Sequence, residues 1–551
     1  MTLCSMKKVV VFPSLEVAGA RVWAALSELV SAQFVPASHV SPSLAEVDAI
    51  LILSDDPAFA GVAAQAKKPC FVVEQRVPTV ELGADDVSVR FGSSDRLDAR
   101  LRGKKLPHKT LGSFCPLSAA DGEVVMAQIE DHAVWTTRVE GGVAIDRVVW
   151  GPPALATGEY PLEYCHGSHF FRLLPLIHFL RRVGGGGGWQ APGLRACFMF
   201  DDPNLHWPTY GFLPFGRLVE YGRSEKFHVT MAMVPLDCWY ADSDSVRLFR
   251  EGADQLSLLF HGSNHLHAEL LGSKDSNTDR RLIAQAFRRI ERFEAKTGVA
   301  VSRSMAAPHG ACSTGMMHVM LTLGMEGACI SPWSLRLWNE GYDWGPSFGM
   351  QLAEMTKDGF PVVPRFRFCS SSLGDAVVSA FLDRPIIPVG HHDTMSDGLG
   401  LIFDLAAEIN RLGDVRWCNM DEIQRSNYLT RRESSVLYVR PMSSRLRLRV
   451  PEGIESLVIS KPSDGKSRFA DEYLVMKSSL LESQSTHRIR DEQPMAVQAG
   501  EELWLQARLL RSEDPNRCGS LPLPAWALMR RVMCEVRDRS KPLVKRRKLD
   551  S

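Results

Sequence analysis

Apolar residues follow different patterns in successive regions of this chain. From about Lys8 to Val89, short apolar runs (Val9 to Phe12, Ala49 to Leu53, Phe71 to Val73) alternate with Ala-rich stretches of helical spacing such as Ala18 to Val30. That alternation predicts a small α/β unit with a parallel sheet over residues 1–110, Rossmann- or flavodoxin-like in outline. Between 111 and 183, the pieces Val124 to Ile129, Ala133 to Arg138 and Gly142 to Trp150 predict a β-meander, followed by an amphipathic helix through Phe170 to Arg182. Consecutive glycines from Gly184 to Gly188 resist any regular element because of their entropy cost, so 184–190 reads as a linker.

Residues 191–430 repeat a strand, polar loop and helix pattern, with Ala196 to Phe200, Leu256 to Phe260 and Pro385 to Val389 as strands, which predicts a (β/α) barrel-like domain. After Ser434, the segments Val436 to Val439, Leu446 to Val450 and Ser456 to Ile459 alternate in the manner of half-buried antiparallel strands, and a β-sandwich-like domain is expected over 431–515. Residues 516–551 form a basic tail ending Lys545-Arg546-Arg547-Lys548, read as a solvated, frayed helix end rather than a nucleic-acid arm. The expected class is therefore α/β and multidomain, with an N-terminal α/β domain, a central barrel-like domain and a C-terminal β-rich domain.

Size and composition agree with several domains, since 551 residues exceed one core at roughly 100–200 residues per domain. Lys+Arg and Asp+Glu balance at 64 each, which gives no bulk electrostatic reason to expect nucleic acid as a partner. The 12 cysteines are scattered without a CxxC pair, which fits a reducing compartment rather than a disulfide framework or zinc ribbon. Pro13, Ser14 and Glu16 end the first apolar run too early for a signal peptide, and Arg172 and His178 interrupt the apolar stretch Phe170 to Leu180. A soluble, cytoplasmic protein with no membrane span is expected; its oligomeric state is not legible. The first unit lacks a GxGxxG or GKS/GKT loop, so a structural or docking role is expected there rather than nucleotide binding.

Chemistry gathers in the central region, where four polar groups each follow a strand-like run, the position at which α/β barrels carry catalytic side chains. The first is Asp201-Asp202-Pro203-Asn204 after Phe198 to Phe200. Adjacent carboxylates repel unless a cation or proton separates them, although an Asx turn also accounts for one of the two. The second is His261-Gly262-Ser263-Asn264-His265-Leu266-His267 after Leu258 to Phe260. Its turn can bring His261 and His265 onto one ion, with His267 the bystander. Two imidazoles and one carboxylate leave coordination positions open for water and substrate. The third, Ala306-Ala307-Pro308-His309-Gly310, and the fourth, His391-His392-Asp393, offer further proton-transfer groups; a tight loop and a strand cap are their plainer accounts.

The order Asp-Asp, HxxxH, Pro-x-Gly and a late histidine resembles the polysaccharide deacetylase (NodB-homology) superfamily, over roughly Ala191 to Leu429 and as a divergent member. The resemblance makes the central domain deacetylase-like. It implies Asp201 as general base and Asp202, His261 and His265 as ligands of one divalent ion, zinc first, with cobalt, nickel or manganese as alternatives. It implies His391 or His392 as the acid, with His391 nearer the strand end. The family's RxPxG motif keeps Pro308 and Gly310 here but has Ala306 in place of the arginine that holds the base, so His309 or Arg303 is expected to take over. Asn204, Pro308, His309 and Trp333 are candidates for contacting substrate. Trp207, Tyr210, Trp338 and Trp344 also lie between the expected strands, to stack on sugars or to pack in the core.

The function expected is metal-dependent removal of an acyl group, N-acetyl first, from a sugar or glycan. Two other readings compete with it: a catalytically inactive glycan-binding or assembly protein, and a metal-independent glycoside hydrolase with carboxylates about 5–10 Å apart.

Overall fold

The continuous apolar runs near the amino terminus become interior strands of a sheet. The computed structural model describes residues 6–39, 44–54, 59, 67–74, 76–82, 86–109, 112–119, 121–156, 158–185, 188–273, 275–460, 472–478, 486–490, 493–523 and 525–549. It is a mixed α/β structure with several sheets. Its contacts divide it into two compact units: Met1–Gln190 with Trp344–Gln351 and Leu373–Leu382, and Ala191–Asp343 with Leu352–Ser372 and Asp383–Ser551.

In the first unit, β1 (Lys7–Phe12), β2 (Ala32–Pro36), β3 (Ala49–Ile52), β4 (Cys70–Val73), β5 (Val87–Phe91), β6 (Lys105–His108), β7 (Val124–Ile129), β8 (His132–Glu140) and β9 (Val143–Val148) form one sheet. Its order is β2-β1-β3-β4-β9-β8-β7-β5-β6. The half from β2 to β9 is parallel, and its strands β3 and β4 are apolar on both faces, as a sheet covered on both sides requires. The meander forms the antiparallel half, and β9 pairs in parallel with β4, so regions with different sequence patterns share one ladder. The helix that follows runs Leu174–Gly184, and Phe179 packs on Phe71 at 5.6 Å between ring centroids. Gly186 and Gly187 of the expected linker lie outside the described residues.

The second unit carries β10 (Leu194–Ala196), β11 (Phe198–Asp201), β12 (Thr209–Tyr210), β13 (Leu213–Pro214), β14 (Val229–Met233), β15 (Leu256–Phe260), β16 (Val301–Ala306), β17 (Gly327–Ile330), β18 (Glu354–Met355), β19 (Pro361–Pro364), β20 (Phe366–Arg367), β21 (Pro388–Gly390) and β22 (Val415–Trp417). Nine of these make a sheet of order β18-β19-β17-β16-β15-β14-β11-β21-β20, a ladder with two ends among the described residues; β10 pairs with β22, and β12 with β13. Every pairing in the large sheet is parallel except that of β18 with β19. Parallel strands bring their carboxyl ends to one edge, and there all four polar groups stand. Beneath that edge, buried Met199, Ala232, Leu259, Ala306, Val363 and Ile387 pack in one cluster, contributed by strand after strand.

The alternating residues after Tyr428 form two four-stranded sheets that share a core built on Leu437, Leu446, Leu457, Tyr473 and Leu503. Buried Glu326, just before β17, ties this core to the α/β part by accepting from Arg425 at 2.8 Å and from Arg445 at 3.0 Å.

The basic tail departs from the expected frayed end. Residues Ala525–Leu549 form one helix, and its N-terminal Ala527 packs into a buried cluster with Val234 and Leu236. Among the described residues, no helix is long and apolar enough to cross a membrane.

Candidate metal centre

β11 ends on Asp201, and the chain then leaves the strand through Asp202 at φ 80°, a left-handed conformation uncommon for a residue with a Cβ. His265 and His309 are also left-handed, each at φ 57°. Such positions cost of order 1–3 kcal/mol each and persist where the surroundings over-determine them.

The loop after β15 is determined by Glu269, whose carboxylate accepts the backbone N–H groups of Ser263 at 2.8 Å, Asn264 at 3.1 Å and His265 at 2.9 Å. Gly262 is required in that turn at φ 68°, because a Cβ there would stand 2.2 Å from Glu269 Oε1 and 2.8 Å from Pro308 Cγ. The loop therefore returns His265 to the side of His261, with ring centroids 4.9 Å apart.

One ligand atom from each of Asp202, His261 and His265 lies within 4.8 Å of the other two. His265 Nε2 is 3.1 Å and His261 Nε2 3.9 Å from Asp202 Oδ1. His261 is 1% and His265 6% exposed. His261 Nδ1 donates to the Ala306 carbonyl at 2.8 Å, so its Nε2 is left unprotonated and faces the carboxylate. A hydrogen bond from the other ring nitrogen to a backbone carbonyl fixes the tautomer of metal-ligating histidines. Burial pushes His265 down to about 3, with the neighbouring His261 acting in the same direction and Asp202 against both. Burial raises the Asp202 carboxyl, but His265, His261, Arg531 and His391 outweigh it and hold the group well below the usual carboxylate range. Two imidazoles and an ionised carboxylate are the donor set of a catalytic zinc-type ion, and these three residues fit one.

Asp201 has a different partner. Arg365 Nη1 donates to its Oδ1 at 3.0 Å, with both side chains 7% exposed. Burial pushes the Asp201 carboxyl up, but Arg365, with His261 and His391, more than reverses this and leaves it below its ordinary value. Arg365 thus holds Asp201, where His309 or Arg303 was expected to. Arg303 pairs with Glu294 at 2.8 Å, and the His309 ring stands 5.4 Å from that of His265. Ala306 lies fully buried in the core cluster beside Val363, and Arg365 enters two positions after Val363, at the end of β19. The rule that marked the other groups, a polar residue directly behind an apolar strand, also marks Arg365 behind Pro361 to Pro364.

The two late histidines separate. His391 is mostly exposed, and its Nε2 is 3.8 Å from Asp202 Oδ2. His392 is buried, stacked on Phe212 at 5.8 Å, with its Nε2 3.4 Å from Asp538 Oδ1. A Cβ on Gly211, itself at φ 55°, would stand 2.2 Å from the His392 ring, so that pocket is closed around it. Among the residues expected near substrate, Asn204 is 1% exposed and its Oδ1 accepts from Arg539 Nη2 at 3.0 Å. Pro308 packs on Gly262. His309 stands beside the ligand cluster, and Trp333 is an exposed residue of the short helix Pro332–Leu337. Trp207 is also exposed, Trp338 is half-buried, and Tyr210 and Trp344 belong to buried cores.

The terminal helix reaches the same edge. Arg531 donates from Nη1 to Asp202 Oδ1 at 3.1 Å and from Nη2 to Asp237 Oδ2 at 2.5 Å. Arg530 Nη1 donates to His265 Nδ1 at 3.1 Å, which puts the ring proton of His265 on Nε2, facing Asp202. Glu535 Oε2 lies 2.9 Å from His206 Nδ1, and the Tyr210 hydroxyl donates to Asp538 Oδ2 at 3.1 Å. Burial raises the Glu535 carboxyl, but His206 and Arg539 overcome this and bring it to about 2. The helix therefore lies along the loops that follow β15, β14, β11 and β21, and its arginines hold two of the three candidate ligands.

No protein-family model matches this sequence, and no curated protein matches it. The chain is similar to solved deacetylase structures. A candidate polysaccharide deacetylase from Mycobacterium smegmatis is 13% identical with a TM-score of 0.30, over 42% of this chain and 90% of that one. A family 4 carbohydrate esterase from Streptomyces lividans, in complex with acetate, is 12% identical with a TM-score of 0.24, over 40% and 88%. A CE4 esterase from Streptococcus mutans is 12% identical with a TM-score of 0.22, over 42% and 87%. This similarity covers less than half of the chain. At such TM-scores it carries no argument of its own, and the reading below rests on the residues.

Proposed function

We propose that this protein is a metal-dependent hydrolase that removes an acyl group, N-acetyl first, from a sugar or glycan. The observation that carries the reading is the convergence of Asp202, His261 and His265 beside a second carboxylate, Asp201, that has its own arginine. Under this reading Asp202, His261 and His265 hold one divalent ion, zinc first, with cobalt, nickel or manganese as alternatives. A bound ion supplies Lewis acidity at the acyl carbonyl and lowers the pKa of water.

The chain's own residues do the rest. Arg365 keeps Asp201 ionised and oriented, so that Asp201 accepts the proton of the attacking water. His391 is exposed beside Asp202, and under this reading it gives a proton to the departing amine. Buried His392 instead positions the loop after β21 against Asp538. An ion held by these residues would take the place of the Arg531 guanidinium at Asp202 Oδ1, and the Arg530 contact at His265 Nδ1 would have to be given up.

Those same contacts favour one other reading, a glycan-binding protein without turnover, in which arginine stands permanently where the ion would. Acetate release from N-acetylated amino sugars and their oligomers separates the two. Release that stops with a chelator and returns with added zinc, cobalt, nickel or manganese supports the hydrolase. No release on any of these substrates, from a protein that retains an ion, leaves the binding protein.

A further inference from the structure

The terminal helix reaches the candidate ligands without the anchor that usually fixes a helix on a protein. Most helical stability comes from an apolar stripe packed on the core. Among the described side chains of Ala525–Leu549, Ala527 is the one apolar group that is buried, while Met529, Val532, Met533 and Val536 each stay about half exposed or more. Charged and polar contacts tie the helix down instead. Arg539 donates to the Thr209 carbonyl at 2.7 Å and to Asn204 Oδ1 at 3.0 Å, Lys541 Nζ to Asp393 Oδ2 at 2.7 Å, and Lys545 Nζ to the Ser396 carbonyl at 2.7 Å. Together with Arg531 on Asp202 and Asp237, and Arg530 on His265, they span the loops after β11, β14, β15 and β21.

The seat of this helix is the candidate metal centre itself. Arg531 is buried, and its guanidinium sits on the same Asp202 oxygen that lies 3.1 Å from His265 Nε2. Arg530 donates to the backbone carbonyl of His265 as well as to its ring. Like charges repel strongly where little water screens them, so a divalent ion on Asp202 and a guanidinium on the same oxygen oppose each other. Arg530 and Arg531 are neighbours in one helical turn, whose outward movement would withdraw both at once.

We propose that Ala525–Leu549 is an autoinhibitory strap, which when seated puts Arg530 and Arg531 on the candidate ligands and closes the centre, and which is released as the ion is loaded. The proposal rests on the hydrolase reading of that centre. Two states linked in this way act on each other reciprocally: what loosens the helix raises affinity for the ion, and the ion loosens the helix by the same factor. Contacts of this kind suit a strap that opens. Pairs between partly exposed groups, such as Lys541 with Asp393, contribute little each and weaken as salt rises, whereas lifting a buried apolar stripe would cost far more.

Hydrogen–deuterium exchange of the full chain over residues 525–549, with and without zinc, tests the proposal beside equilibrium dialysis of zinc. The variant Arg539→Ala/Lys541→Ala/Lys545→Ala removes ties of the helix that touch none of the three ligands. The wild-type helix is expected to be protected without zinc and to exchange faster with it. The variant is expected to bind zinc more tightly by roughly fivefold or more, the lower end of coupling between linked sites. Circular dichroism confirms that it is folded; if it is not, Lys541→Ala/Lys545→Ala, confined to partly exposed pairs, takes its place. Zinc that binds wild type while the helix stays as protected as before, or while the folded variant binds no more tightly, overturns the strap and leaves the hydrolase reading standing. Zinc that binds neither wild type nor variant overturns both.

Discussion

At the scale of single residues, the pair Asp201 and Arg365 separates the two carboxylates that the sequence places side by side. Removing one partner of a buried ion pair leaves the other uncompensated, at about 3–5 kcal/mol. Arg365→Ala is therefore expected to lower stability by that order in chemical denaturation. It also removes the charge that holds Asp201 below its ordinary value, so burial then raises the carboxyl and the acid limb of the pH–rate profile moves to higher pH. Arg365→Lys, which keeps the charge, should restore most of that limb; a limb that does not move in Arg365→Ala would show that Arg365 does not govern the base. Asp201→Asn is expected to cut turnover by roughly 10²–10⁴, the range for a lost general base, while bound ion is retained; full activity in this variant would remove Asp201 from the chemistry. Asp201, Asp202 and His261 were legible because they stand directly behind apolar strands, and His265 because it follows in the short loop after β15. Arg365 obeyed the same rule but was hidden by the motif pattern, which directs attention to the end of β16, where Ala306 now fills core space.

At the scale of elements, the loop after β15 and the terminal helix decide how the ligand atoms are presented. Arg530 donates to His265 Nδ1, and that contact forces the proton onto the nitrogen that would face an ion. Arg530→Ala is expected to tighten zinc binding by the order of tenfold, the scale on which outer-shell contacts tune metal affinity. Equilibrium dialysis against a competing chelator reads this directly, and unchanged or weaker binding would show that the arginine does not oppose the ion. Strands such as Leu256–Phe260 and Ser456–Ile459 stand at the residues their apolar runs mark. The terminal helix was misread because its charged face seals against His206, Tyr210 and Asp237, partners hundreds of residues away, and a local pattern of Lys and Arg reads as solvated whichever way it faces.

At the scale of the whole molecule, three histidines outside the metal centre tie the stability of both units to pH. Burial pushes His108 and His228 down to about 4 and His178 to about 3, the last also beside Arg182 and Arg181. An unfolded imidazole titrates near 6.5, so between these values the unfolded chain binds more protons than the folded one, and stability rises with pH there. These contributions are fully present above about pH 6.5 and are lost as pH falls towards 4, whereas the depressed carboxyls of Glu535 and Asp538 act only below the usual carboxylate range. Tm is therefore expected to fall steadily from about pH 7 to pH 4.5, and less steeply in His178→Gln, which keeps an acceptor for the Asp98 N–H; an equal slope in wild type and variant would show that His178 does not contribute. Alternating patterns foretold a mixed α/β structure with several sheets. They did not show that the meander joins β4 through β9, because strand order depends on which apolar edges meet in space and leaves no local trace.

The claim on which the functional account stands is that Asp202, His261 and His265 hold an ion. Elemental analysis of purified wild type beside a His261→Ala/His265→Ala double variant, each shown to be folded by circular dichroism, tests it most directly. The account predicts a stoichiometric divalent ion in wild type after incubation with zinc, cobalt, nickel or manganese, and its loss in the folded variant. Wild type that binds none of these ions, or a variant that keeps one, would contradict it.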